Sequence, residues 1–162
     1  MTDPALGFAE ASGTGTEFDK LADLFGGPTM LKHRVSTPIE AHEMILRGIP
    51  SQALEKFVTH LTVIDPADTF EKALGISERT FQRHKADHSR TLSPEQSSRA
   101  WNFARILTKA SAVFGSQEEA EKWMIEPAMG LNRWRPIDLL ASAAGSELVE
   151  QFLERIDYGV YT

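Results

Sequence analysis

The chain of 162 residues contains no cysteine. That excludes disulfides, thiolate zinc sites and thiol nucleophiles, and it suits a reducing compartment. No stretch approaches the roughly 18 apolar residues that span a bilayer. The first residues carry Asp3 and Glu10 instead of a basic run followed by an apolar one, so a signal peptide is not expected. Signatures of catalysis are missing as well: no HExxH, no GxSxG and no phosphate-cradling glycine loop. Gly13-Thr14-Gly15 is a lone glycine pair in a polar stretch. The expectations are a cytoplasmic protein with no membrane association, no enzymatic activity and no cofactor. Strand signals are also scarce, since Thr62-Val63-Ile64 is short and runs into Pro66.

The charge is −6 and unevenly spread. Residues 1–30 hold Lys20 against five carboxylates; residues 31–90 hold nine basic and eight acidic side chains. Residues 91–162 hold seven basic and ten acidic side chains, a balance that suits a basic protein partner. Nucleic acid could therefore be held only by a local basic face and not by the overall field.

Apolar residues make up 41% of the chain and recur at helical spacing. Helix starts are well marked. Thr37-Pro38-Ile39-Glu40, Ser93-Pro94-Glu95-Gln96 and Ser116-Gln117-Glu118-Glu119 each read as a capping box. Pro50-Ser51, Asp65-Pro66, Ser77, Pro136 and Ser146 mark further starts, and Gly26-Gly27-Pro28, Gly48 and Gly75 mark stops. The predicted fold is all-α, a helical bundle of about eight helices. Residues 1–35 read as a flexible arm with a short helix from Glu17 to Phe25. Trp101 and Trp123 fall mid-helix and read as core. Glu118, Glu119 and Glu121 read as a solvated helix start that complements the dipole.

Residues 65–90 have the layout of a helix-turn-helix. A short helix over Pro66–Leu74 is followed by Gly75, able to take the left-handed conformation, then Ile76 as a corner plug and Ser77 as a cap. The second helix carries Arg79, Thr80, Gln82, Arg83 and Lys85. Arg reads guanine bidentately, Gln reads adenine, and Ser77, Thr80 and Arg90 suit phosphates. The competing reading is a plain helical hairpin with a solvated polar face, since Glu78 and Asp87 dilute the positive charge. His84 and His88, four apart, have no third ligand nearby, so no metal site is expected.

Toward the C-terminus, Gly130-Leu131-Asn132-Arg133-Trp134-Arg135-Pro136 gathers Leu131, Arg133, Trp134 and Arg135 in one loop. Trp and Arg are the types most enriched in interface hot spots. The tail Asp157-Tyr158-Gly159-Val160-Tyr161-Thr162 is short and aromatic, suited to entering a cleft. Trp134 and Tyr158 could instead cap the core.

The motifs Leu92-Ser93-Pro94-Glu95-Gln96, Ala112-Val113-Phe114-Gly115, Ala120-Glu121-Lys122-Trp123-Met124, Gly130-Leu131-Asn132-Arg133-Trp134-Arg135-Pro136-Ile137-Asp138-Leu139-Leu140 and Val149-Glu150-Gln151-Phe152-Leu153 resemble the Xre/MbcA/ParS antitoxin family. Leu74-Gly75-Ile76-Ser77-Glu78-Arg79-Thr80-Phe81-Gln82-Arg83 resembles that family's Xre-type helix-turn-helix. The resemblance covers residues 48–162. Residues 1–35, read as an arm, lie outside it; the resemblance implies a helix-turn-helix DNA-binding domain over 36–91 and a toxin-binding domain over 92–162. It further implies a RES-domain toxin partner that consumes NAD⁺ or ADP-ribosylates a target, blocked at its active site by the antitoxin, and repression of the antitoxin's own operon. A homodimer within a toxin–antitoxin hetero-oligomer, bound to operator DNA, completes that expectation. The candidate toxin contacts are Leu131, Arg133, Trp134, Arg135, Asp157, Tyr158, Val160, Tyr161 and Thr162. The family often has Thr where Arg135 stands, so this chain trades a side-chain cap for a guanidinium, expected to be exposed. The alternative function is a free-standing helix-turn-helix repressor whose C-terminal part only dimerises it.

Overall fold

A computed structural model describes residues 17–159. The expected arm over residues 1–16, and Val160, Tyr161 and Thr162 of the tail, lie outside the described residues. The fold is all-α, as predicted. In chain order the helices are α1 (residues 17–24), α2 (Gly27–Leu31), α3 (Pro38–Arg47), α4 (Ser51–Thr59), α5 (Asp68–Leu74), α6 (Glu78–Ala86), α7 (Pro94–Phe114), α8 (Gln117–Met124), α9 (Pro136–Leu139) and α10 (Ala143–Asp157). The described residues form two compact units: residues 17–60 with 84–97, and residues 61–83 with 98–159. Their boundaries fall inside α6 and α7.

In the first unit, Phe25 and Phe57 are fully buried and their rings stack with centroids 4.8 Å apart. Leu21, Leu31, Val35, Met44, Ile49, Leu54 and Leu92 complete this core. Full burial of one such side chain stabilises by roughly 1.5–3 kcal/mol. Residues 17–35 are therefore part of a core and not an arm. Gly26-Gly27-Pro28 ends α1 as expected, and α2 begins directly after Gly26 with Pro28 in its first turn, where no proline N–H is needed. Thr37 Oγ1 accepts the Glu40 amide at 3.2 Å, and the Glu40 carboxylate accepts the Ser36 amide at 2.8 Å. Buried backbone groups are paired across a short extended bridge: Leu92 N–H donates to the Ile49 carbonyl at 2.8 Å, and Ser51 N–H to that of Arg90 at 3.0 Å. Ser97 Oγ takes the Ile49 amide at 2.8 Å.

The second unit is built on α7, whose Ala100, Phe103, Ala104, Ile106, Leu107 and Ala110 are buried. Trp101 is buried, in line with its expected core role. Trp123 lies between Phe114, 5.1 Å away, and Phe152, 6.0 Å away and nearly parallel. The last helix opens earlier than the serine pattern suggests. Ser142 Oγ caps it, accepting the Gly145 amide at 2.9 Å. Ser146 lies one turn inside, buried, where it accepts a hydrogen bond from Asn102 at 2.9 Å. On the outer edge Glu150 pairs with Arg105 and with Lys109. The hydrogen bonds from Arg105 hold the Glu150 carboxyl below its ordinary range.

Glu121 departs from its expected role on a solvated helix start. It is fully buried. Its carboxylate accepts the backbone amides of Thr62 (3.0 Å), Val63 (2.8 Å) and Ile64 (3.1 Å), and the Gln117 side-chain amide at 2.7 Å. Three consecutive amides facing one carboxylate form an anion cradle filled from within the unit. It fixes the loop that leads into α5.

Candidate functional site

The helix-turn-helix layout is present, with one feature no sequence pattern announced: α5 is wound as a π-helix. Asp65 caps the segment, its carboxylate accepting the Asp68 amide at 2.8 Å. Gly75 ends it with φ 69°, the left-handed conformation that glycine takes without a Cβ penalty. Its amide and that of Ile76 both reach the Phe70 carbonyl. The wide turn turns Phe70 inward, where its ring stacks on Phe81 of α6 with centroids 4.4 Å apart. Ile76 is buried in the corner, as a plug should be. Ser77 Oγ accepts the Thr80 amide at 3.1 Å and donates to Thr80 Oγ1 at 3.0 Å, so both hydroxyls serve the cap of α6.

On α6, Arg79, Gln82 and Arg83 are exposed. Their i, i+3, i+4 spacing places them on one face, opposite the buried Phe81 and His84. Lys85 is exposed beside that face. Arg90 is exposed and pairs with Asp87 at 3.6 Å. His84 and His88 do not converge on a ligand: His88 meets Gln52 at 2.9 Å, while His84 turns inward to Ser51. Ser51 Oγ gives its only proton to the Arg90 carbonyl at 2.8 Å. It must therefore accept from His84, which fixes the proton on Nδ1. Burial, helped by Arg90, holds the His84 pKa below 6.5, against an opposing pull from Asp87. No group of three or more His, Asp or Glu is placed to hold a metal among the described residues.

The loop between α8 and α9 is closed on itself. Ala128 N–H donates to the Trp134 carbonyl at 3.0 Å, and the Ala128 carbonyl accepts the amides of Leu131 (3.0 Å) and Arg133 (2.9 Å). A short 3₁₀ turn, Met129–Leu131, starts it. Gly130 packs on Phe152 so closely that a Cβ there would fall 2.1 Å from the ring. Asn132 and Arg133 follow with φ 60° and 68°, two consecutive non-glycine residues in the left-handed region. Asn tolerates this conformation at a helix end, whereas for Arg133 it costs roughly 1–2 kcal/mol, and such strain clusters at working sites. The tip presents Arg133, Trp134 at 54% exposure and Met129 at 77%. Asp157 and Tyr158 are exposed at the end of α10, Tyr158 at 80%.

Two expected contact residues play other parts. Leu131 is buried and anchors the loop from below. Arg135 is not a free guanidinium. It grips Asp68 through Nη1 (3.0 Å) and Nη2 (2.9 Å), and Asp138 through Nε (2.9 Å) and Nη2 (3.0 Å). Both edges of its planar fork are thus taken by carboxylates in bidentate geometry. These partners raise the already high pKa of Arg135, and Arg135 in turn depresses that of Asp138. The absence of a side-chain cap on α9 holds as expected, and Asp138 in its first turn supplies the partner that replaces it.

At the other end of α5, Arg99 donates to the carbonyls of Lys72 (2.8 Å) and Ala73 (3.2 Å), a cation capping a helix C-terminus. Met129, Asp68 and Arg99 are structurally telling residues without an expected role, and Glu121 is one whose expected role on a solvated helix start does not hold. Only Met129 carried a local signal, an apolar residue between Ala128 and Gly130 in a turn.

These features define a helix-turn-helix protein with a helical C-terminal region that offers a rigid aromatic tip. The family described as Antitoxin Xre-like helix-turn-helix domain matches residues 40–105. That described as Antitoxin Xre/MbcA/ParS C-terminal toxin-binding domain matches residues 109–159. Antitoxin Xre of Yersinia enterocolitica is 31% identical over 104 residues, covering 64% of this chain and 70% of the relative. The Prs ADP-ribosylating antitoxin of a Sphingobium species is 26% identical over 135 residues, covering 78% and 83%. Antitoxin Xre of Pseudomonas putida is 27% identical over 125 residues, covering 77% and 76%. The chain belongs to the Xre/MbcA/ParS antitoxin family. It is an antitoxin of the Xre type, and no catalytic family is among its matches. No helix among the described residues is long and apolar enough to cross a membrane.

Proposed function

We propose that this antitoxin neutralises a RES-domain toxin, one that consumes NAD⁺ or ADP-ribosylates a target, by occluding its active site. The contacts are the Arg133–Trp134 tip with Met129, and the segment from Asp157 and Tyr158 through Val160, Tyr161 and Thr162. The observation that carries this reading is the closed loop, in which two left-handed residues hold a half-exposed tryptophan outward. A fold keeps such strain where a partner uses the geometry, and Trp and Arg are the side chains such partners use most. Leu131 and Arg135 support the tip from within.

The exposed face of α6 is the part of the antitoxin that holds operator DNA, with Arg79, Gln82 and Arg83 toward base edges. Arg79, Arg83 and Lys85 make no ion pair among the described residues, which leaves their charges available. Ser77 and Thr80 serve by holding the helix start, and Arg90 by its charge. The antitoxin acts as a homodimer within a toxin–antitoxin hetero-oligomer in the cytoplasm.

The test is paired. Trp134→Ala, and separately removal of residues 157–162, should weaken toxin binding at least about tenfold. Arg79→Ala with Arg83→Ala should weaken operator binding by a similar factor, each arginine contributing roughly 1–3 kcal/mol. Undiminished toxin binding in both C-terminal variants would place the toxin contact elsewhere on the chain, and failure of the wild-type chain to bind any toxin, with operator binding intact, would favour a free-standing repressor instead.

A further inference from the structure

Within the second unit, α5 is held at both ends by arginines from the C-terminal part of the chain. Arg135 takes Asp68 at its start, and Arg99 takes the carbonyls of Lys72 and Ala73 at its end. Between them Phe70 stacks on Phe81, so the placement of Arg79, Gln82 and Arg83 follows that of α5. Arg135 is also the residue after Trp134, whose carbonyl closes the 128–134 loop. Residues 61–83 and the loop belong to one compact unit. Toxin contact and DNA contact are therefore not modular in this part of the molecule.

We propose that Arg135 is a positioning residue shared by the two functions, coupling toxin occupancy of the Arg133–Trp134 tip to the setting of the helix-turn-helix through Asp68. This rests on the reading of the tip as a toxin contact. Arg135 touches neither ligand. It fixes the tip against α5, and the bidentate geometry at Asp68 and Asp138 makes that link directional. Without the guanidinium, two carboxylates would face one another with only the weaker pull of Lys72 on Asp138 to offset them, and the link between α5 and the loop would loosen. A toxin that shifts the tip must then strain or relax the Asp68 contact. Coupling between two binding sites is reciprocal by thermodynamic necessity, with typical factors of 5–150.

The experiment uses the full-length antitoxin, an inactivated form of its partner toxin and a fragment of its own promoter. Operator affinity is measured with and without saturating toxin, and toxin affinity with and without saturating operator. The wild type should show the same factor in both directions, at least about fivefold. Asp68→Asn should bring that factor close to one, and Asp68→Glu should restore much of it. A purely structural role would lower the melting temperature and leave the factor unchanged. Arg135→Lys, which keeps the charge and loses the fork, is the second variant should Asp68→Asn fold poorly, and it too should reduce the factor. A wild-type factor of one, or an unchanged factor in the Asp68→Asn and Arg135→Lys variants, overturns the proposal. If Trp134→Ala does not weaken toxin binding, the tip reading itself fails, and the coupling with it. If Trp134→Ala weakens binding while Asp68→Asn leaves the factor intact, only the coupling fails.

Discussion

Replacing Glu121 by alanine should destabilise the fold more than any other single carboxylate substitution on α8. Its carboxylate is fully buried and receives three backbone amides and one side-chain amide. Hydrogen bonds to a charged group contribute about 1.5–3 kcal/mol each, and an orphaned buried donor costs about 1–3 kcal/mol. The three amides are not equally enclosed: Ile64 is buried, Val63 half-buried and Thr62 exposed. Water can reach the outer two once the side chain is gone, so the net loss is about 3 kcal/mol, not the sum of three full penalties. Glu121→Gln keeps one acceptor oxygen but turns an NH₂ toward the amides, for a loss of about half that size. Glu119 is the internal control. It is exposed and pairs with Lys122 at the surface, an arrangement that contributes under about 1 kcal/mol. Urea unfolding at neutral pH reads all three. With a slope of about 1.5 kcal/mol/M, Glu121→Ala should lower the midpoint by about 2 M. Amide exchange at residues 62–64 should accelerate in the same variant. A Glu121→Ala midpoint no lower than that of Glu119→Ala would refute the cradle argument.

Arg133→Gly should leave stability unchanged or raise it by up to about 1 kcal/mol, since glycine relieves the left-handed cost but orders with greater entropy loss. Toxin affinity should drop at least about tenfold in that variant, and a stability loss above about 1 kcal/mol would contradict the strain assignment. His84 contributes a pH dependence with a definite sign. Its folded pKa lies below 6.5, so the unfolded chain binds the proton first; its contribution is full above 6.5 and is lost as pH falls from there through the folded value. Unfolding midpoints should therefore fall between pH 7.5 and 5.5, and His84→Gln should flatten that slope. Glu150 acts lower on the scale. Its folded pKa is depressed below 4.5, so its contribution is present above 4.5 and lost on further acidification. Glu150→Gln should show a smaller acid-induced drop in midpoint below pH 5 than the parent chain.

Local rules carried much of the fold. Ser93 and Gln96 form a reciprocal capping box, each backbone amide reaching the other's side chain at 3.0–3.1 Å. Gly75, Ile76 and Ser77 do what their types suggest at a helix-turn-helix corner, because turn chemistry is set within a few residues. What escaped is non-local. The π-winding of α5 accompanies the stacking of Phe70 on Phe81, and no period in seven residues announces it. Glu121 looks like its neighbours Glu118 and Glu119 in sequence, and only the approach of residues 62–64 buries it. Arg135 looked exposed because one of its two partners, Asp68, lies 67 residues away. Ser146 misled because the cap it resembles is supplied one turn earlier by Ser142. Within the tip, Trp134 was legible by type, whereas the inward turn of Leu131 follows from loop closure on Ala128.

We propose above that this antitoxin silences a RES-domain toxin through its C-terminal surface. The direct measurement is NAD⁺ turnover by the partner toxin, titrated with the full-length chain. Turnover should be lost at stoichiometric equivalence, with a Trp134→Ala chain requiring a clear excess for the same effect. Full toxin activity in the presence of excess wild-type chain would contradict it.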